Sequence, residues 1–266
     1  MVSVLEDDSD PAIIAAIERN NIDLFLFAAT MGRKTILREE DFTGVIGKPW
    51  SPNYLVEPCF SEATLESRIR GIREGIEQRK LPPLLKFGPS AAPKNLRTRL
   101  LNSGFVAMNH DPPGMAMRLD GVGEERPLPL DLRIERVGDD AGLREWLSFF
   151  TLFEFDMFKV LMESPEVRLY LGRIDGVAIG TSMMFLSAGV AGLYQVEVSP
   201  EHRRRGIGTA MTLSPMEDAC QLGYRTAVLQ ASKLGEPVYR NIGFKSYFTY
   251  NYCHPKGCTF ARFMAA

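Results

Sequence analysis

From Val198 to Ala210 the chain reads Val-Ser-Pro-Glu-His-Arg-Arg-Arg-Gly-Ile-Gly-Thr-Ala. No other stretch constrains the fold as strongly. Before it, Gly189 to Val198 follows a glycine turn and mixes small, aromatic and β-branched residues, the composition of a strand. After it, Thr209 to Leu222 reads as a helix closed by Gly223, a residue suited to the left-handed position at a helix end. The segment is therefore strand, glycine-containing turn, helix start. A helix N-terminus leaves about four backbone N–H groups without intrahelical partners, and the macrodipole adds partial positive charge there. Gly206 and Gly208 have no side chains to keep a phosphate away from those groups, and Arg203, Arg204 and Arg205 add attraction for a polyanion. The stretch predicts an anion cradle, best suited to a pyrophosphate. Two familiar phosphate motifs fail here. No Lys-Ser/Thr follows the glycines as a nucleotide P-loop requires, and Met211 stands where a dinucleotide fingerprint needs its third glycine.

What the residues do match is Arg-x-x-Gly-x-Gly, Arg203 to Gly208, preceded by Val198-Ser199-Pro200. A second segment follows. Val228-Leu229-Gln230-Ala231-Ser232 starts as a buried-type strand, and a short helix then carries Pro237 in its first turn and Tyr239, ending at Gly243-Phe244. One helix and one strand fit between the two segments. In this order and spacing they resemble the cofactor-binding and later motifs of the GCN5-related N-acetyltransferase superfamily. The resemblance implies an α+β fold, with a mixed, mostly antiparallel central sheet flanked by helices. It also implies acetyl-CoA as acyl donor and a small-molecule or peptide amine as acceptor.

Carried over residue by residue, the resemblance assigns the pyrophosphate to Arg203, Arg204, Arg205, Gly206, Ile207, Gly208 and Thr209. The amide-rich pantetheine arm would pair with the main chain of Val196 and Val198, beside a gap in the sheet. Ser232, seven positions before Tyr239, matches a polar cofactor contact, and Tyr239 matches the general acid that protonates the departing thiolate. Glu197 lies on the same strand but alternates to the face opposite Val196 and Val198. It is a candidate base or a structural carboxylate. Two rivals use the same residues differently. A non-catalytic acyl-CoA-binding or sensing protein would keep the cradle and have no need of Tyr239. An anion- or nucleic-acid-binding module would use the arginine run alone, with steep salt dependence. Pro215, inside the helix after the cradle, removes a backbone bond to Met211 and predicts a kink there.

The 266 residues carry a formal charge of −2, which gives no support for nucleic-acid or acidic-membrane binding. Cys59, Cys220, Cys253 and Cys258 lack metal-site spacing, and no metal is expected. His110, His202 and His254 are scattered away from any nucleophile motif. The first residues are acidic with no basic ones, unlike a targeting peptide, and no apolar run reaches the ~18 residues of a membrane helix, so a cytoplasmic protein is expected. Oligomeric state is not legible.

Upstream, Asp10-Pro11 starts a helix, Asp23 to Ala29 reads as a buried strand, and Gly44 to Pro52 as a turn-rich loop carrying Trp50. Ser61 is placed to cap a helix to about Arg79, with Leu65, Ile69, Ile72 and Ile76 on one face. Pro93 to Phe105 echoes Ser232 to Phe244: Asn102-Ser103-Gly104-Phe105 lies opposite Asn241-Ile242-Gly243-Phe244, Leu100 opposite Tyr239 and Pro93 opposite Ser232. This predicts two lobes in tandem, the first without cofactor chemistry. The Gly-, Pro- and charge-rich run from Asp120 to Pro129 is the expected linker, giving lobes 1–126 and 127–266. Within the second, Leu132 to Val137 reads as a strand and two helices follow. A hairpin then turns at Asp175-Gly176, and Phe244 to His254 forms one final aromatic strand.

Overall fold

The computed structural model describes residues 4–47, 53–109, 111–120, 131–151 and 153–258. Trp50, His110 and nearly all of the expected linker lie outside them. In chain order the elements are α1 (Asp10–Met31), β1 (Thr35–Arg38), β2 (Thr43–Ile46), β3 (Tyr54–Val56), α2 (Leu65–Glu77), β4 (Leu84–Phe87), α3 (Leu96–Asn102), β5 (Phe105–Ala107) and β6 (Pro113–Arg118). They continue with β7 (Arg133–Arg136), α4 (Asp140–Leu147), α5 (Phe155–Glu163), β8 (Val167–Ile174), β9 (Val177–Ser187), β10 (Val190–Val198), α6 (Ile207–Gln221), β11 (Thr226–Gln230), α7 (Glu236–Ile242), β12 (Lys245–Thr249) and β13 (Asn251–Pro255).

Two sheets form, each with its own core. The seven-stranded sheet runs β12-β6-β11-β10-β9-β8-β7, and the six-stranded sheet β1-β2-β3-β4-β13-β5. Strands β10 and β11 pair in parallel in one sheet and β3 and β4 in the other, with antiparallel pairs beside them. The contacts divide the chain differently from a single cut between 126 and 127. One compact unit is Met1–Leu24 with Gly114–Tyr247, and the other Phe25–Pro113 with Phe248–Ala266. Strand β6 thus pairs with β11, and β13 lies between β4 and β5.

Several local expectations need correction. Asp23 to Ala29 is no strand but the second half of α1. Nothing between Asn20 and Ala29 interrupts the helix, and the buried positions Ile13, Ile17, Asn20 and Leu24 recur at helical rather than alternating spacing. Gly44 to Ile46, expected in a loop, belong to β2, which is held against β1 over four residue pairs. Helix α2 begins at Leu65 with Thr64, not Ser61, at its N-cap, although Leu65, Ile69, Ile72 and Ile76 are its buried residues. The final aromatic segment is two strands in two sheets, because the chain leaves β12 and re-enters sheet pairing as β13 after Tyr250. The Asp175-Gly176 hairpin forms with both residues at positive φ, the geometry that a two-residue turn between twisted strands requires.

In the larger unit, α6 and α7 pack on one face of the sheet, where Ile207, Ala210, Met211, Tyr239 and Ile242 join Leu193, Ala191 and Leu229 in one core. Gly172 makes the close approach possible: a β-carbon there would stand 2.6 Å from Met211 Sδ. On the opposite face Trp146 of α4 is fully buried among Phe150, Phe153 and Phe158 and donates from its indole nitrogen to Ser182 O at 3.2 Å. Helix α6 continues through Pro215 as a single element.

Candidate active site

The site forms where β10 and β11 part. Their parallel register runs Ala191↔Ala227, Gly192↔Val228 and Leu193↔Leu229 and goes no further, although β10 continues to Val198. Toward β9 the same strand bulges. Tyr194 pairs with Met183 and Glu197 with Thr181, and Gln195 between them takes φ +51°. Val196 and Val198 therefore lie on a stretch whose β11 side is released from the sheet, while their side chains pack against the α6 core.

The chain then turns through a 3₁₀ segment, Pro200–His202, into α6. Arg204 takes φ +58° and Gly206, the N-cap of α6, takes φ +79°. Helix α6 begins at Ile207, so Gly208 and Thr209 lie inside its first turn, two residues earlier than the periodicity predicts. Gly208 is not required by packing: the one neighbour within 4 Å of a β-carbon there would be Val198 Cγ2, at 3.8 Å. That leaves free the space a phosphate needs to reach the helix-start N–H groups. The three arginines are exposed, but Arg203 is tied down by donating from Nε to Val198 O at 3.0 Å. Ile207 is buried and anchors the turn in the core.

Across the gap, Ser232 is exposed and its hydroxyl accepts from Gly235 N at 3.1 Å, holding the turn into α7. Gly235 is needed for what lies above it, since a β-carbon there would stand 2.7 Å from Tyr239 Cε2. The Tyr239 ring is 9% exposed and meets Phe244 edge-on at 5.8 Å. Burial pushes its phenol up to about 12, and the Glu197 carboxylate adds to the rise. Tyr239 on α7 and Glu197 on β10 are thus electrostatic neighbours, although they stand far apart in sequence. Glu197 itself is exposed.

The other side of this fork carries no sequence motif. Gly192 sits in the middle of β10 because a β-carbon there would lie 2.0 Å from Asn20 Oδ1. Asn20 is fully buried. It donates to Phe185 O and Ser187 O at 3.2 and 3.1 Å and accepts from the Tyr194 hydroxyl at 2.7 Å. Its neighbour Asn21 donates to Gln230 Oε1 at 2.6 Å. The legible signal was Gly192, a glycine inside a strand and so a sign of close approach; the φ of Gln195 had none. His202 accepts or donates at 3.2 Å with Ser199, and His254 lies on β13 in the other sheet. Among the described residues no group of three or more His, Cys, Asp or Glu is placed to hold a metal, and no helix is long and apolar enough to cross a membrane.

A strand with one edge freed thus leads into a glycine-lined helix start within an α+β sheet. Residues 140–244 match the model of the acetyltransferase (GNAT) family. Over nearly the whole chain, the fold is similar to that of a GCN5-related N-acetyltransferase from Kribbella flavida (17% identity, 92% of this chain and 98% of that one, TM-score 0.72). It is similar also to one from Sphaerobacter thermophilus (18% identity, 83% of each chain, TM-score 0.63). A third is a tandem GNAT protein from the clavulanic acid biosynthesis pathway (12% identity, 97% of this chain and 98% of that one, TM-score 0.62). No curated protein matches the sequence.

Proposed function

We propose that the larger unit transfers an acetyl group from acetyl-CoA to a primary amine by direct attack on the thioester. The carrying observation is the register that ends at Leu193/Leu229 while β10 runs on into the Gly206–Gly208 helix start. The released main chain at Val196 and Val198 offers the pantetheine amides a strand to pair with. The first turn of α6, with Arg203, Arg204, Arg205 and Thr209 around it, offers the pyrophosphate N–H donors and positive charge. Ser232 borders the same gap.

In the reaction the neutral amine nitrogen attacks the thioester carbon, and the carbon–sulfur bond then breaks. Glu197, directly or through water, takes the proton the amine must lose. The thiolate receives one from Tyr239. A phenol near 12 is a weaker acid than a thiol of about 8.5. Tyr239 therefore serves first as a hydrogen-bond donor to the sulfur as charge develops there, and the proton crosses as the bond breaks. Calorimetric titration with acetyl-CoA, free CoA and ATP tests the reading. Binding selective for the two CoA compounds, together with amine-dependent release of CoA, is the expected result. Selective binding with no turnover on any amine leaves an acyl-CoA-binding protein, and no binding at all removes the cradle.

A further inference from the structure

The inner end of the fork holds a polar group that acetyl transfer as described does not use. Tyr194 and Gln230 are the first residues beyond the last parallel pair, Leu193 and Leu229. Those leucines face the α6 core, so alternation sends Tyr194 and Gln230 to the other face of the sheet. Glu197 shares that face, because its partner Thr181 and Tyr194's partner Met183 stand two apart on β9.

The polar groups around this point are fixed. Asn20 spends its amide on Phe185 O, Ser187 O and the Tyr194 hydroxyl. Asn21, itself buried, donates to Gln230 Oε1 at 2.6 Å, which sets the orientation of the Gln230 amide. Burial raises the pKa of the Tyr194 hydroxyl, and the Asn21 and Gln230 amides beside it act in the opposite direction. Gln230 Nε2 is buried and meets no acceptor. A buried amide N–H without a partner is costly, and a hydrogen-bond acceptor such as a carbonyl or carboxylate oxygen satisfies it.

We infer that Gln230 Nε2 recognises the acceptor substrate by donating to a carbonyl or carboxylate oxygen carried near the reacting amine, so that the substrates are amino acids or their amides rather than simple alkylamines. This rests on the acetyl-transfer reading above. The exposed Glu197 carboxylate, farther out on the same face, draws the ammonium end, and Gln230 takes the oxygen. The rigid hold of Asn21 on Oε1 keeps the amide from turning to present its own oxygen instead. A substrate lacking the oxygen leaves Nε2 unsatisfied and is rejected on that account.

The test uses the full chain, acetyl-CoA and three probes with one side chain in common: phenylalanine, phenylalaninamide and phenethylamine. CoA release gives kcat and KM for each, and calorimetry gives the acetyl-CoA affinity separately. The two carbonyl-bearing probes are expected to exceed phenethylamine in kcat/KM by roughly tenfold or more, the scale of one hydrogen bond. Gln230→Met, similar in size and without a donor, is expected to collapse that ratio toward one by raising KM for the carbonyl-bearing probes. Equal use of all three by the unaltered protein overturns the inference. So does a Gln230→Met variant that loses the same factor on every probe, which marks a structural role, and so does acetyl-CoA binding with no turnover of any of the three. Absence of acetyl-CoA binding overturns the transfer reading itself, and this inference with it.

Discussion

The two parallel strand pairs of this molecule begin alike and end differently. In both sheets a short parallel register stops at a leucine pair, Leu193/Leu229 on β10 and β11 and Leu55/Leu85 on β3 and β4. Beyond it the larger unit leaves β10 unpaired on that side. The smaller unit closes the gap with its own chain: Ala92 N donates to Pro58 O at 3.0 Å, Phe60 N donates to Ala92 O at 2.9 Å, and Cys59 bridges to Ala92. The main-chain groups that a pantetheine arm would need are already spent there. The helix that follows differs as well. Arginines and two glycines lead into α6, whereas Glu57, Glu62 and Glu66 flank the way into α2, whose N-cap Thr64 makes no side-chain cap. In the short helix after the second strand, Leu100 of α3 is fully buried where α7 presents Tyr239. One topology thus leaves a strand edge free in one unit and closes it in the other, and the switch is made by backbone hydrogen bonds as much as by side chains.

The largest expected effect follows from Gly208. Gly208→Ala adds a methyl where no protein atom objects and improves helix propensity by up to about 1 kcal/mol, so Tm should hold or rise. The same methyl occupies the approach to the helix-start N–H groups, and acetyl-CoA affinity should fall by roughly 100-fold, about 2.7 kcal/mol. Unchanged calorimetric affinity in this folded variant would remove the difference between the two units as a binding difference. Next comes Tyr239→Phe, which makes α7 resemble α3 chemically. Turnover should drop by roughly 100-fold, the low end for a lost general acid, with acetyl-CoA affinity nearly unmoved. Equal turnover would return Tyr239 to the role of a core aromatic. A smaller loss is expected for Arg204→Ala and Arg205→Ala, whose exposed guanidiniums act through screened charge. Each should weaken acetyl-CoA binding a few-fold at low salt and less as salt rises.

Much of this contrast was legible beforehand because it is written in glycines, prolines and charges. Gly206, Gly208 and the arginines marked the turn into α6, and Asn102-Ser103-Gly104-Phe105 against Asn241-Ile242-Gly243-Phe244 marked the repeat. What could not be read was non-local. Whether β3 and β4 close their gap depends on which carbonyl Phe60 N and Ala92 N reach, and residue type does not encode that. Strand β13 was invisible as a separate element because aromatic residues recur from Phe244 to Tyr252 with no Gly or Pro between them, and the change of sheet at Tyr250 is set by tertiary pairing. The run from Asp23 to Ala29 was misread because a short apolar stretch satisfies strand and helix alike until the length of the whole helix is known. The Asn20, Asn21 and Gln230 cluster was missed because ordinary amides give no motif.

Lys86 offers the finest test of the contrast, since it follows Leu85 as Gln230 follows Leu229. Its side chain is buried, and its ammonium lies 4.6, 4.5 and 5.4 Å from the ring centres of Phe25, Tyr250 and Tyr252. Burial lowers its pKa from 10.5 to about 7. Below about 7 both folded and unfolded chains hold the proton, and the full cost of burying the charge falls on the folded state. Between about 7 and 10.5 the unfolded chain keeps a proton that the folded one releases, so stability rises with pH. The slope approaches but does not exceed about 1.4 kcal/mol per pH unit. Lys86→Met has no proton to release, and its Tm should climb less steeply than that of the unaltered protein between pH 7 and 9. Parallel Tm curves for the two would mean that Lys86 keeps its charge within the ring cluster, held by cation–π attraction strong enough to offset burial. The smaller unit would then contain a standing cation at the position where the larger one presents a neutral amide.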